Sequence, residues 1–210
     1  MSWHCKTSGA YARTSTEAQE NARMIYGILS ANGWTVEAIS GLLGNIESES
    51  GYNPWRWQGD KIGVSTGAPW TNKGYGLTQF TPANKYIGNA SSFTGYGPNF
   101  SDKTGNNSDG YAQMLYLNDH ADYIKTSAYP LSYEEFKQSS EDAGYLAIVW
   151  LYNYERPADP SSTKAARKAA GEYWYSVLSG EEPPTPTPIS GDTTILKYII
   201  FMQEVTKHVR

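Results

Sequence analysis

The sequence predicts a mainly helical domain with a loop-rich middle. Three observations carry that expectation: amphipathic stripes over residues 16–50, a return of helical periodicity between residues 111 and 180, and, between them, a stretch from Tyr52 to about Gly110 dominated by Gly, Asn, Ser, Thr and Pro. A chain of 210 residues has room for one full-sized domain with its own core plus an appendage.

In chain order, STEAQENARMIYGILSANG reads as the first helix. Thr16 is its N-cap with Gln19 three residues on, and Ala22, Ile25, Ile28 and Leu29 keep helical spacing up to the Asn32-Gly33 stop. Thr35 caps a second helix, TVEAISGLLGNIESES, in which Val36, Ile39, Leu42, Leu43 and Ile46 form one stripe. Helical patterns resume at YAQMLYLNDHADYIK (111–125), at SYEEFKQSSEDAGYLAIVWLYNY (132–154), read as two helices, and at KAARKAAGEYWYSVLSG (164–180). EEPPTPTPISGD (181–192) alternates Pro with Thr and is expected to be an extended linker. The organisation expected is therefore an N-terminal extension over 1–15, a domain over 16–180, the linker, and a C-terminal segment over 193–210 too short to fold alone. That last segment either packs back on the domain, mediates oligomerisation or begins another module.

Composition narrows the function. The net charge of −4 and pI near 5.4 argue against a nucleic-acid partner, which calls for a basic patch. No apolar run approaches the roughly 18 to 20 residues of a membrane span, and the start MSWHCK lacks the apolar core of a signal peptide, so a soluble chain without an export signal of its own is expected. A single cysteine, Cys5, excludes an internal disulfide, and His4, His120 and His208 show no metal-ligand spacing, so neither metal nor cofactor is expected. The 17 Tyr and 7 Trp suit stacking on sugars, peptides or bases, or else a tyrosine-rich core.

The segment GNIESESGYNPWRWQ (44–58) holds two glutamates two positions apart at the end of the second helical stripe. With Ile46 at zero and each residue turning about 100°, Leu42, Ile39 and Leu43 lie at about −40°, 20° and 60°. Glu49 then falls at about −60°, on the edge of the stripe, and Glu47 at about 100°, facing outward. A carboxyl that loses hydration favours its protonated form, which is what a general acid needs. Position on the helix nominates Glu49 as the acid and leaves Glu47 solvated.

GNIESESGYNP, followed by GYGLTQFTPANKYI (74–87), WLYNYERPADP (150–160) and GEYWYSVL (171–178), resembles the tail-associated lysozymes of bacteriophages, relatives of lytic transglycosylases and goose-type lysozymes. The resemblance covers roughly residues 16 to 180. It implies an α+β, mainly α, lysozyme-like fold with a small loop-rich β-region. It also implies Glu49 as the catalytic acid, next to Ser50, and Gln79 in a sugar-binding cleft presented by a turn of Tyr75, Gly76 and Leu77. Tyr154 is implied as a cleft residue, with Glu155 and Arg156 pairing ionically within the fold or, as the lesser alternative, taking part in catalysis. Ser50, Trp57, Tyr75, Gln79 and Tyr154 are thus the expected substrate contacts. Trp55, Trp57 and Trp70 are candidates for stacking on sugar rings, whose C–H faces suit indole. The chain departs from the shorter family pattern with an insert over residues 59–73.

The reaction so implied is cleavage of the β-1,4 bond between N-acetylmuramic acid and N-acetylglucosamine in peptidoglycan, for local penetration of the wall. The implied setting is a virion tail or the cell-wall face, with phage-tail or conjugation-machine proteins as partners. An inverting hydrolase needs a second carboxylate roughly 6.5 to 9.5 Å from the acid, and a retaining one roughly 5 to 5.5 Å. A lytic transglycosylase needs neither, because the sugar's own 6-hydroxyl attacks. Asp60 is the nearest candidate for a second acid. The rival from another class is a catalytically silent wall-binding module of a phage tail or conjugation apparatus.

Overall fold

The computed structural model describes residues 3–61, 72–87 and 109–180. Ser15, extended at φ −73° and ψ 152°, caps α1 (Thr16–Ala31) by accepting from the Ala18 N–H, so the cap falls one residue before the expected Thr16. Thr35 caps α2 (Val36–Glu49) in the same way, accepting from the Ala38 N–H. The loop-rich middle holds the single turn α3 (Asn84–Ile87) and leads to α4 (Asp109–His120), which ends five residues before the expected stop. The pattern over 132–154 divides into α5 (Tyr133–Lys137), closed by a capping box of Ser132 and Glu135, and α6 (Ala143–Trp150). α6 does not end in a cap. It widens into a π-helical turn over Leu151–Glu155, and α7 (Ser161–Leu178) follows.

The chain is mainly helical, as expected. Among the described residues its β content amounts to two isolated antiparallel bridges, Trp57 with Tyr75 and Tyr75 with Phe80, rather than a β-region with strands. No helix among those residues is long and apolar enough to cross a membrane.

α2 is the central helix, with every residue from Ala38 to Ile46 buried. It packs on α6 and α7, with α1 alongside. The α2–α7 contact is one of backbone on backbone: a Cβ on Gly44 would stand 2.6 Å from the Arg167 carbonyl oxygen and 2.8 Å from the Gly171 nitrogen. Only glycine permits that approach. Around this frame Trp150, Trp174, Phe136 and Tyr86 are fully buried, each contributing about 2 kcal/mol through the area it removes from water.

Residues 3–15, expected as an extension, are stitched to the domain. Trp3 is buried, the His4 N–H donates to Asn21, and the Asn53 amide donates to the carbonyls of Lys6 and Gly9. The linker and the segment over 193–210 lie outside the described residues.

Asp109, at the start of α4, is fully buried and accepts from the Tyr75 hydroxyl at 2.5 Å, the Tyr86 hydroxyl at 2.5 Å and the Gln113 amide at 3.1 Å. Burial pushes its carboxyl up to about 6 against the opposing pull of these three donors. A folded-state pKa above the unfolded value means that the folded chain binds more protons between the two, so stability falls as pH rises across that window. The parent chain should therefore lose stability relative to Asp109→Asn between about pH 4 and about pH 6, with a constant difference above it. Urea melts at stepped pH check this; a constant difference throughout would show that the carboxyl keeps an ordinary affinity for protons.

Candidate active site

α2 delivers two carboxyls to different surroundings. The chain leaves the helix through Ser50 and turns sharply at Gly51 and Tyr52, both left-handed at φ 55° and φ 62°. A Cβ on Gly51 would lie 2.2 Å from that of Ala10, so the turn is held against the N-terminal segment. Glu47 is locked in place there. Arg13 donates to it twice, Nε to Oε2 at 2.6 Å and Nη2 to Oε1 at 2.7 Å, and the Tyr52 hydroxyl donates at 2.7 Å while accepting from Trp174 Nε1 at 2.6 Å. Glu47 is thus a partner in an ion pair rather than the solvated residue that helical position suggested.

Glu49 faces a cavity of about 470 Å³. Its Oε1 accepts from Arg167 Nη2 at 2.6 Å, and Arg167, almost wholly buried, also donates to Asn45 Oδ1 at 2.7 Å. Gln79, Tyr154, Glu155 and Arg156 line the same cavity, together with Thr78, Phe80, Tyr116, His120 and the charged groups Arg56, Lys85 and Asp122. Gln79 is left-handed at φ 48°, and its Nε2 donates to the carbonyls of Arg56 and Gly76, which ties the turn of residues 75–80 to the loop after α2. Tyr154 stacks on Trp150 with centroids 4.5 Å apart and meets the Thr78 hydroxyl at 3.4 Å.

The π-helical turn presents Tyr154, Glu155 and Arg156 together, ending with Arg156 left-handed at φ 47°. The Glu155 carboxyl accepts from Trp150 Nε1 at 3.0 Å. Burial pushes it well above the ordinary glutamate range, and the charge of Glu49 adds to the shift; Arg167, the Trp150 N–H and Arg156 oppose it. Arg156 donates to the Asp122 carbonyl at 2.7 Å and to its carboxylate at 3.2 Å, and makes no bond to Glu155. The expected ion pair between neighbours is therefore replaced by one across the cavity wall. Lys85 first and then Arg156 hold the Asp122 carboxyl below its usual range.

Other expected contacts fall elsewhere. Ser50 is buried, its hydroxyl donating to the Ile46 carbonyl at 3.2 Å. Trp57 and Tyr75 are buried against each other with centroids 4.6 Å apart, and Trp55 is buried as well, so these aromatics pack the loop behind Glu49 instead of lining the cavity. The cavity's aromatic surface comes from Phe80, Tyr116 and Tyr154. Asp60 does not line it either: Arg56 grips the carboxylate at 2.8 Å and 3.1 Å and the Gly9 N–H donates at 2.8 Å, with Arg56 the larger cause of its lowered pKa. Trp70 lies outside the described residues, as does most of the insert. Among the described residues no group of three or more His, Cys, Asp or Glu is arranged to hold a metal ion.

The profile of the phage tail lysozyme family matches residues 20–178. The chain belongs to that family. The matched span runs from within α1 to the end of α7 and contains every residue that lines the cavity. The chain is also similar to Morphogenesis protein 1 of Bacillus phage B103, with 33% identity over 170 residues, 79% of this chain and 41% of that protein. It therefore spans about two fifths of that relative's length. Membership of the phage tail lysozyme family implies a lysozyme-like role on peptidoglycan.

The sequence does not nominate Arg167 for this site, and it offers Glu155 first as an ion-pair partner. Arg167 shares a helical stripe with the buried Ala170, Gly171, Trp174 and Leu178, and a charged residue on an otherwise apolar face is a sign of a buried partner. Glu155 closes the apolar run AIVWLYNY, where a lone carboxyl invites the same question.

Proposed function

We propose that this chain is a glycosidase that cuts the β-1,4 bond between N-acetylmuramic acid and N-acetylglucosamine in peptidoglycan, with Glu49 as general acid. The observation that carries the reading is the placement of Glu49 in a chain of the phage tail lysozyme family: its carboxyl stands at the wall of a 470 Å³ cavity, held by a buried arginine, with tyrosines and a glutamine beside it. A cavity of this size admits sugar rings, aromatic faces grip their C–H surfaces, and the acid protonates the leaving oxygen. Ser50, Trp57 and Tyr75 serve the site through packing, while Gln79 and Tyr154 touch the sugar. The enzyme acts in local wall penetration as part of a virion tail, a setting in keeping with a relative named for phage morphogenesis.

Digestion of purified peptidoglycan followed by mass spectrometry tests the reading. Fragments ending in muramic acid are expected, reducing if water attacks and anhydro if the sugar's 6-hydroxyl does. Binding to the wall without any cut would sink the enzyme and favour a wall-binding module.

A further inference from the structure

Glu155 sits where the fold departs from regular helix. α6 is apolar along its length, and the π-helical turn that extends it, closed by a left-handed arginine, brings Tyr154, Glu155 and Arg156 to the cavity. A π-helical turn and a non-glycine residue at positive φ are both disfavoured, and they persist where their surroundings impose them, often at functional sites. A glutamate serving only solubility at that place would turn to bulk water. Glu155 instead accepts a hydrogen bond from Trp150 and shares the cavity with Glu49. The titratable and charged groups that act on it include Glu49 from α2, Arg167 from α7, and Tyr154 and Arg156 from its own turn. Arg167 is engaged by Glu49 and Arg156 by Asp122, so among the described residues no cation bonds to Glu155. One carboxyl of the pair has an arginine in contact and the other has none.

We propose that Glu155, rather than Asp60, is the second carboxyl of this site: it holds a proton in the resting cavity and supplies it to Glu49 when glycan fills the space. The proposal rests on reading the chain as a glycosidase. Glycan in the cavity excludes the bulk water that would otherwise feed the acid, so the proton must come from a group already inside. Burial and the charge of Glu49 both favour the protonated form of Glu155. In the step itself the O–H bond of Glu155 breaks and one forms on Glu49. Glu49 passes that proton to the glycosidic oxygen as the bond to the anomeric carbon breaks, the electron pair leaving with the oxygen. The attacking hydroxyl, of water or of the sugar's C6, bonds to the anomeric carbon and loses its proton to the Glu155 carboxylate, which restores the resting state.

Glu155→Gln keeps an oxygen for the Trp150 N–H and a neutral side chain, and replaces the carboxyl O–H with an amide that passes no proton on. On purified peptidoglycan its kcat should fall about 100-fold or more with KM near the parental value and the alkaline limb of the pH profile lost. Glu155→Asp should keep part of the turnover and the limb. Near-parental turnover in Glu155→Gln overturns the proposal. Should that variant fail to fold, carbon-13 NMR of the side-chain carboxyls decides: Glu155 should titrate above the ordinary glutamate range in the parent and move down in Glu49→Gln. Ordinary titration, unmoved by Glu49→Gln, overturns the proposal whatever the kinetics. A parent chain that titrates as expected yet releases no glycan fragments sinks the glycosidase reading, and the proton cycle with it, while the paired titration stands as a separate fact.

Discussion

Glu49→Gln should abolish the clearing of bacterial walls, with turnover reduced by about 10² to 10⁴, the range that general acid catalysis contributes. The amide keeps the size of the side chain and an oxygen for Arg167, but carries no transferable proton. Glycan binding should survive, because the apolar and hydrogen-bonding surface of the cavity is unchanged. Glu47→Gln is the matched control. Its carboxylate serves Arg13 and Tyr52 outside the cavity, so the variant should lose about 1 kcal/mol of stability through weakened hydrogen bonds and keep most of its activity. Turbidity assays on both variants, with thermal melts alongside, separate the roles. Equal activities would remove Glu49 from the chemistry.

Arg167→Met carries the largest expected loss of stability. Methionine fills much of the same space, yet leaves the Glu49 carboxylate and the Asn45 carbonyl oxygen facing a group that cannot donate. Arg167 is almost wholly buried but the Glu49 carboxyl is about a fifth exposed and can regain water, so the expected loss is about 2 kcal/mol, below that of a fully enclosed pair. For a chain of this size that is a fall in melting temperature of about 4 to 8 °C. Arg167→Lys should fall between, since one ammonium cannot fork to both oxygens. Activity should drop in each, as the acid loses the donor that orients it. The loss should persist in high salt, where exposed ion pairs are screened and enclosed ones are not. An unchanged melting curve for Arg167→Met would mean that the pair is incidental.

The helices nearest the acid were legible because their information is local. The stripe from Val36 to Ile46 and the hydroxyl of Thr35 fix α2 within one segment, and the angular offset between Glu47 and Glu49 follows from helix geometry alone. The partners of those glutamates were not legible. Arg13 lies 34 residues before Glu47 and Arg167 lies 118 after Glu49, separations over which no periodicity speaks. Aromatic content misled for a related reason: composition suggests stacking surfaces without saying which rings face inward. Trp55 and Trp57 went to the core, and Phe80, Tyr116 and Tyr154 to the cavity. The π-helical turn had no forewarning either, since its residues continue an apolar helical pattern.

Gly44 and Gly171 leave no layer of side chains between α2 and α7 where the two helices meet. Helices separated by side chains can roll or slide as rotamers repack, whereas two touching backbones cannot. Glu49 lies five residues beyond one contact and Arg167 four before the other, so acid and arginine form a single rigid piece. Residues 78–81 on the cavity's other wall belong to a turn and carry no such helix-on-helix contact. The same division guides engineering: substitution of Thr81, exposed and lining the cavity, should leave Glu49 and Arg167 undisturbed, while any side chain added at Gly44 forces the two apart.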